Sequence, residues 1–365
     1  MKVFHCDHCG QLLFFENTAC VSCGHRVAYL PDLQMVASLY PDGDDSWRSS
    51  QPLAAEGGYR LCQNDRIEHI CNWAVPASDE NPFCTSCRTT RVIPDLTNPA
   101  NRSAWYRLEA AKRRLLHTLI ALGLPNPNRN DDSGHGLTFE FLADADPGGA
   151  PVLTGHADGV ITVNIVEADD AERERRRNAM HEPYRTLLGH MRHESGHYYW
   201  DRFIANTPEA DEFRSLFGDE RADYAAALST YYEQGAPADW QMEFVSAYAT
   251  SHPWEDWAET WAHYLHMVDT LETAAACGLS LKPNRRDEPA LPKMPDPESP
   301  QPAAFERLIE WWFPLTYMMN NLNRGLGLGD AYPFVLSPPV IAKLKFVDAV
   351  IGRAKVRGAD ETKPT

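Results

Sequence analysis

Apolar and polar residues alternate along this chain with two periods, and each period predicts its own kind of element. Apolar residues recur at helical spacing from Trp105 to Leu122, and Gly123 follows as a helix terminator. Residues 137–142 alternate apolar and polar positions, and residues 159–166 are rich in β-branched side chains, so both segments are predicted strands. Further helical stripes are predicted at residues 183–199, 253–265, 303–323 and 339–352. The pattern therefore predicts an α+β fold that is mainly helical and has a small β-sheet.

The first 30 residues carry cysteines at the spacing of metal-binding knuckles. The pairs Cys6-x-x-Cys9 and Cys20-x-x-Cys23 are separated by ten residues. Two such knuckles supply four thiolates to one tetrahedral structural zinc ion. Disulfides are the alternative, but the chain starts without an apolar secretory stretch, which favours a reducing compartment in which thiols persist. Residues 1–30 are therefore a predicted zinc ribbon.

A second set of cysteines lies in residues 31–100. Cys84-x-x-Cys87 is a regular knuckle, whereas Cys62 and Cys71 are split by eight residues, so this pattern is less specific. We predict a second structural zinc held by these four cysteines. Because the region is rich in Pro, Gly, Asp and Ser, we expect zinc to replace a large core there. Unrelated buried cysteines and another partition of the eight thiolates both stay open.

One cysteine is left over after these two sets. Cys277 follows a run of helix-forming residues and precedes Gly278, which is typical of a helix end. We expect it to be a small core residue without a catalytic role, because no histidine motif lies beside it.

Composition and charge limit the kinds of partner that the protein is expected to bind. The 365 residues are 43% hydrophobic, which suffices for more than one domain, and no apolar run approaches the length of a membrane helix. The net charge of −17 argues against non-specific nucleic-acid binding, which needs a basic footprint. We therefore expect a cytoplasmic protein that binds neither membranes nor nucleic acid.

The pentapeptide His193-Glu194-Ser195-Gly196-His197 carries the clearest chemistry in the chain. It lies in the helix predicted from Pro183, and histidines at i and i+4 share one helical face. Both imidazoles can therefore bind one zinc ion, while Glu194 projects beside them. The motif predicts a zinc site in which Glu194 is the general base.

The helix predicted at residues 254–265 is the best source of a third zinc ligand. Glu255 and Glu259 lie four residues apart, beside a stripe of tryptophans. Two acids in apolar surroundings need partners. Both would have one if one acid bound a metal ion and the other accepted a hydrogen bond from a histidine N–H. A pair of surface glutamates on an amphipathic helix is the alternative.

This arrangement resembles the gluzincin metallopeptidases, the group to which thermolysin belongs. There one helix carries H-E-x-x-H and a second carries E-x-x-x-D/E, in which the first acid binds zinc and the second orients a histidine. The resemblance implies that Glu255 is the ligand and Glu259 the orienting acid, although thermolysin has aspartate at the second position. The segment around Glu255 also resembles the anthrax lethal factor family, in which a tyrosine stands seven residues before the glutamate ligand. Tyr248 matches that position, which implies a hydrogen-bond donor to the reaction oxyanion; an ordinary packed tyrosine is the alternative.

The whole chain is similar to a bacterial family of zinc-binding metallopeptidases with an N-terminal zinc ribbon. The matching segments are residues 6–23, 62–87, 91–96, 193–201, 253–263 and 330–334. The resemblance implies a peptidase-like active site and does not supply a substrate. We therefore predict four parts: a zinc ribbon, a second Cys₄ region, a gluzincin-like metallopeptidase domain and a flexible tail. Their bounds are 1–30, 31–100, 101–355 and 356–365.

The function expected from these residues is hydrolysis of peptide bonds by a zinc-activated water. His193, His197 and Glu255 would hold this zinc, in addition to the two structural ions, and Asp201 is a further candidate for contact with a ligand histidine. We expect a peptide or protein as the substrate, and a partner protein could bind through the ribbon. Two alternatives stay open. One is a hydrolase of non-peptide amides, and the other is a non-catalytic protein- or nucleic-acid-interaction module on a peptidase scaffold.

Overall fold

The computed structural model describes residues 2–128, 135–144, 152–179, 186–295 and 303–361. It divides into two compact units, of which one is Val3–Glu172 and the other is Arg173–Thr365 together with Met1–Lys2. The first unit contains the strands and the eight clustered cysteines, and the second contains the predicted catalytic helices. Among the helices in these ranges, none is long and apolar enough to cross a bilayer.

The amino-terminal unit begins with a short hairpin and a five-stranded antiparallel sheet. The hairpin pairs β1 (Phe4–His5) with β2 (Leu12–Leu13). The sheet has its strands in chain order, β3 (Arg26–Leu30), β4 (Met35–Pro41), β5 (Trp47–Ser49), β6 (Tyr59–Leu61) and β7 (Ala74–Pro76). Because β3 and β4 pair across residue 30, the predicted ribbon and the region after it share one sheet.

This sheet has a hydrophobic core of its own. Its buried members are Ala28, Leu30, Ala37, Leu39, Tyr59 and Ala74. Four of these six residues lie in residues 31–100, where the expectation that zinc replaces a large core stays a prediction. The turn-forming residues lie in the connections between strands, while β3 and β4 are short, nearly continuous apolar runs that bury most of their side chains.

Two helices follow in this unit, α1 (Gln63–Arg66) and the long α2 (Pro99–Ala121). The predicted amphipathic helix is confirmed as α2, which starts earlier because the Asn98 side chain caps it and Pro99 occupies its first position. α2 also buries charge: Lys112 donates to the Ser86 carbonyl at 2.9 Å, and Arg113 donates to the Ile70 carbonyl at 2.7 Å. These bonds hold α2 against the segments that carry the second cysteine set.

A four-stranded sheet completes the amino-terminal unit. Its strands are β8 (Thr90–Val92), β9 (Thr138–Leu142), β10 (Gly155–Ala157) and β11 (Val160–Asn164), in the spatial order β10-β11-β9-β8. β9 is parallel to both β8 and β11, whereas β10 pairs with β11 as an antiparallel edge strand. The two predicted strands are confirmed as β9 and β11. β10 is too short to show a period in the sequence.

The carboxy-terminal unit is helical throughout its described elements. Its helices are α4 (Leu187–Phe203), α5 (Glu209–Phe217), α6 (Tyr224–Gln234), α7 (Pro253–Ala276), α8 (Phe305–Gly325) and α9 (Pro338–Glu361), preceded by α3 (Asp170–Ala179), which begins in the first unit. α7 is central and contacts α4, α5, α8 and α9. The buried Trp257 and Trp261 on α7 form the centre of this helical core.

Three details differ from what the sequence predicts or fall outside the described residues. α4 begins at Leu187 with Thr186 as its cap, and the predicted start at Pro183 lies outside the described residues. α9 continues through Glu361, so most of the predicted flexible tail is helical, and residues 362–365 are not described. Cys277 is exposed, which makes the core assignment wrong, because it caps α7 at the surface just before Gly278 turns the chain at φ +66°.

Candidate active site

The contact between α4 and α7 requires a glycine inside the metal-binding motif. A Cβ on Gly196 would lie only 2.9 Å from the Ala258 Cα, so a side chain there would force the helices apart. The Trp257 indole N–H also donates to the Gly196 carbonyl at 2.8 Å. The two helices are therefore held in close contact at the point where the histidines of α4 face the acids of α7.

Three predicted ligand atoms converge between these helices. His193 Nε2 lies 2.9 Å from Glu255 Oε2, and His197 Nε2 lies 3.5 Å from the same oxygen. Donors about 2.0–2.1 Å from a tetrahedral zinc lie about 3.3–3.4 Å from one another. The two spacings lie on either side of that distance. Two imidazoles with one carboxylate are also a common ligand set of catalytic zinc. These residues therefore fit a zinc ion.

Glu259 is hydrogen-bonded to the ring nitrogen of His193 that is not part of the ligand set. His193 Nδ1 donates to Glu259 Oε1 at 2.7 Å, and the Ser246 hydroxyl donates to Glu259 Oε2 at 2.6 Å. With a proton on Nδ1, the lone pair on Nε2 would be available to a metal ion. Ser246 was not found from the sequence, because a serine in a connecting segment carries no periodic signal.

The acids of the site differ in their proton affinity. Partial burial raises the pKa of Glu194 above its ordinary value, against the opposing effect of His193 and His197. Burial would also raise the pKa of Glu259, but the hydrogen bond from His193 outweighs it and lowers that pKa to about 2. The pKa of Glu255 is likewise low, because the two histidines outweigh burial. The pKa of Glu194 is therefore shifted in the opposite direction from those of Glu255 and Glu259.

Two tyrosines border the ligand set. The Tyr248 ring is half-buried in a 3₁₀ turn, 6.0 Å from the His193 ring. Burial raises the pKa of its phenol, so the hydroxyl keeps its proton at neutral pH and can donate a hydrogen bond. The Tyr224 hydroxyl donates to Glu255 Oε1 at 2.6 Å and was not found from the sequence. Asp201, one turn after His197, is exposed, whereas the acids around the histidines are shielded on α7. Its role stays a prediction.

The eight amino-terminal cysteines form the two groups that the spacing suggested. In the first, Cys6 Sγ lies 3.7 Å from Cys23 Sγ, and Cys9 Sγ lies 3.6 Å from Cys20 Sγ. Thiolates bound about 2.3 Å from a tetrahedral zinc lie about 3.8 Å apart, whereas disulfide sulfurs are about 2.05 Å apart. The first group therefore has the spacing of a zinc site.

The second group is completely buried. Cys71 Sγ lies 3.7 Å from Cys84 Sγ, with Cys62 and Cys87 within the same cluster. Burial lowers the pKa of the Arg113 guanidinium, but the nearby Cys71 thiolate outweighs this and raises it. A fixed positive charge beside four thiolates offsets part of the negative charge of such a site.

The two acids of α7 are expected to differ in their effect on zinc affinity. If the predicted roles hold, Glu255→Ala removes a ligand and Glu259→Ala removes only the partner of a ligand. We therefore expect about 10–100-fold weaker zinc binding for Glu259→Ala and a larger loss for Glu255→Ala. Competition with a chromogenic chelator measures both values. If Glu259→Ala loses the ion and Glu255→Ala retains it, the two roles are reversed.

Comparisons with known proteins match two successive parts of the chain. Residues 101–350 match a family model described as "Putative zinc-binding metallo-peptidase", and residues 3–98 match a zinc-ribbon domain. Similar curated proteins are uncharacterized proteins of Mycobacterium bovis and of two strains of Mycobacterium tuberculosis. Each is 44% identical over 352 residues, which cover 96% of this chain and 95% of the relative. No solved structure matches the chain.

Proposed function

Because the chain belongs to the family of putative zinc-binding metallo-peptidases, we propose that it is a zinc-dependent peptidase that hydrolyses peptide bonds with an activated water. One observation carries the proposal. Glu194 has a raised pKa and lies on the helical face beside three converging ligand atoms of His193, His197 and Glu255. A site that only stored a metal ion would gain nothing from such a base.

In this mechanism His193, His197 and Glu255 would hold the zinc ion. Zinc bound there supplies Lewis acidity and lowers the pKa of water toward about 7. Glu194 accepts the proton of the attacking water and passes it to the amine of the leaving peptide. The raised pKa of Glu194 brings its proton affinity closer to that of the groups it exchanges with.

The remaining residues orient a ligand histidine and stabilise the reaction oxyanion. Glu259, itself held by the Ser246 hydroxyl, keeps the His193 ring in one tautomer and one orientation. Tyr248 donates a hydrogen bond from its phenol to the oxyanion of the tetrahedral intermediate. The Tyr248 and His193 rings lie 6.0 Å apart between centroids, which brings the Tyr248 phenol close to the ligand set.

The expected partner is a peptide or protein substrate, and the setting is a reducing compartment such as the cytoplasm. Support for the compartment comes from the clustered cysteines, in which three sulfur–sulfur distances of 3.6–3.7 Å are those of zinc ligands and not of disulfides. The acidic net charge of −17 supports a substrate other than nucleic acid. Cleavage of a diverse peptide library by the zinc-loaded chain, and its loss after chelation, tests the proposal.

Tyr248→Phe is expected to lower kcat by about 10²–10³-fold, the usual loss for one oxyanion donor, with zinc content unchanged. The substitution keeps the ring and removes only the hydroxyl. Steady-state kinetics on any cleaved peptide measures the loss. Tyr231→Phe is the matched control, because its ring packs 5.7 Å from that of Tyr248. Equal activity of wild type and Tyr248→Phe would leave Tyr248 as a packing residue.

A further inference from the structure

The two carboxylate oxygens of Glu255 have different partners. Oε2 faces the imidazoles, 2.9 Å from His193 Nε2 and 3.5 Å from His197 Nε2. Oε1 accepts a hydrogen bond of 2.6 Å from the Tyr224 phenol. A carboxylate with both oxygens free can bind a metal ion through one or both of them, so an occupied Oε1 restricts the choice.

Tyr224 belongs to a helix that lies at the surface. No residue of α6, all of which the structure describes, is buried. Tyr224 is the first residue of α6, after the capping Asp223, and its ring packs 5.2 Å from His252 and 5.9 Å from Trp254. A tyrosine on an exposed helix would ordinarily keep its hydroxyl in water, whereas this one directs it at a buried carboxylate.

His252 ties the start of α6 to the start of α7. Its Nδ1 accepts from the Trp254 N–H at 3.1 Å and so caps α7. The proton is therefore on Nε2, which donates to the Ala222 carbonyl at 3.2 Å, two residues before Tyr224. One buried imidazole thus fixes both the helix that carries Glu255 and the segment that leads into Tyr224. The hydrogen bond between Tyr224 and Glu255 is therefore supported by His252, which contacts the segments that carry both residues.

We propose that Tyr224 is a positioning residue that makes Glu255 bind zinc through Oε2 alone. By occupying Oε1, the phenol keeps the second oxygen away from the ion and so keeps the fourth position for water, as a catalytic site requires. This inference rests on the proposed function, because it takes Glu255 as the third ligand. Burial and the neighbouring Glu255 raise the pKa of Tyr224, so the hydroxyl stays protonated and remains a donor.

The test is Tyr224→Phe, which keeps the ring contacts with His252 and Trp254 and removes the hydroxyl. We expect about 10–100-fold weaker zinc binding at this site, with the cysteine-bound ions retained. We also expect the visible spectrum of the cobalt-substituted site to change as the second oxygen of Glu255 reaches the metal. Tyr232→Phe is the control on the same helix, since Tyr232 is 60% exposed, and it should match wild type. Wild-type affinity together with a wild-type cobalt spectrum in Tyr224→Phe would overturn the proposal.

A double variant tells a specific contact from a general loss of order. In a Glu255→Ala background, Tyr224→Phe should weaken the residual metal binding no further; an undiminished effect there would overturn the proposal. Neither readout needs a substrate. A chain that shows the Tyr224 effect but cleaves no peptide would therefore keep this inference and remove the proposed function.

Discussion

Glu194→Gln is expected to keep its zinc and lose about 10²–10⁴-fold or more in kcat, the usual loss for a missing general base. Glutamine has nearly the same size and leaves both ligand histidines in place, but it cannot accept the proton of water. We therefore expect substrate binding to survive and the variant to retain uncleaved substrate. Elemental analysis together with kinetics on a cleaved peptide measures both parts.

Glu212→Gln is the matched control, because Glu212 is an exposed glutamate on α5, outside the ligand set. It should retain full activity and the same zinc content. Undiminished turnover by Glu194→Gln would mean that another site or a contaminating enzyme performs the hydrolysis. Loss of zinc by Glu194→Gln would instead mean that this glutamate is a ligand.

Cys71→Ser is expected to remove one zinc ion and to unfold the region around the second cysteine group. Apparent binding energies of structural zinc are about 10–16 kcal/mol, which is comparable with the whole stability of a typical domain. The loss is expected to be large because all four cysteines of the group are buried and three buried thiols would be left without the ion. Thermal unfolding and elemental analysis test it, with an expected change from three zinc ions per chain to two.

Cys277→Ser is the control for loss of a thiol as such, because Cys277 is exposed and belongs to neither group. It should leave the zinc content and the melting temperature unchanged. Three zinc ions and wild-type stability in Cys71→Ser would contradict the second site. A firm value of one zinc ion per wild-type chain would remove both cysteine sites.

The parts of the site that lie on periodic elements could be predicted from the sequence. His193 and His197 share a helical face because of their spacing alone, and the same holds for Glu255 and Glu259. The parts supplied by connecting segments could not. Ser246 and Tyr224 reach the acids of α7 only through the folded path of the chain, so no local pattern marks them.

The elements of the fold also differ in how far the sequence predicts them. The long helices and the strands β9 and β11 have enough residues to show their period, whereas β5, β6 and β7 have three residues each and show none. The sheet that they form was therefore missed. Lys112 and Arg113 look like the polar face of α2 in sequence, yet both are buried, because backbone carbonyls around the second cysteine group accept their hydrogen bonds.

The most direct test of the account is exposure of a diverse peptide library to zinc-loaded wild type and to Glu194→Gln of equal zinc content, with new amino termini identified by mass spectrometry. We predict a defined set of cleavages by wild type that is absent with Glu194→Gln and absent after chelation of zinc. The same cleavages by both proteins, or no cleavage by wild type of any peptide or of folded candidate proteins, would contradict it.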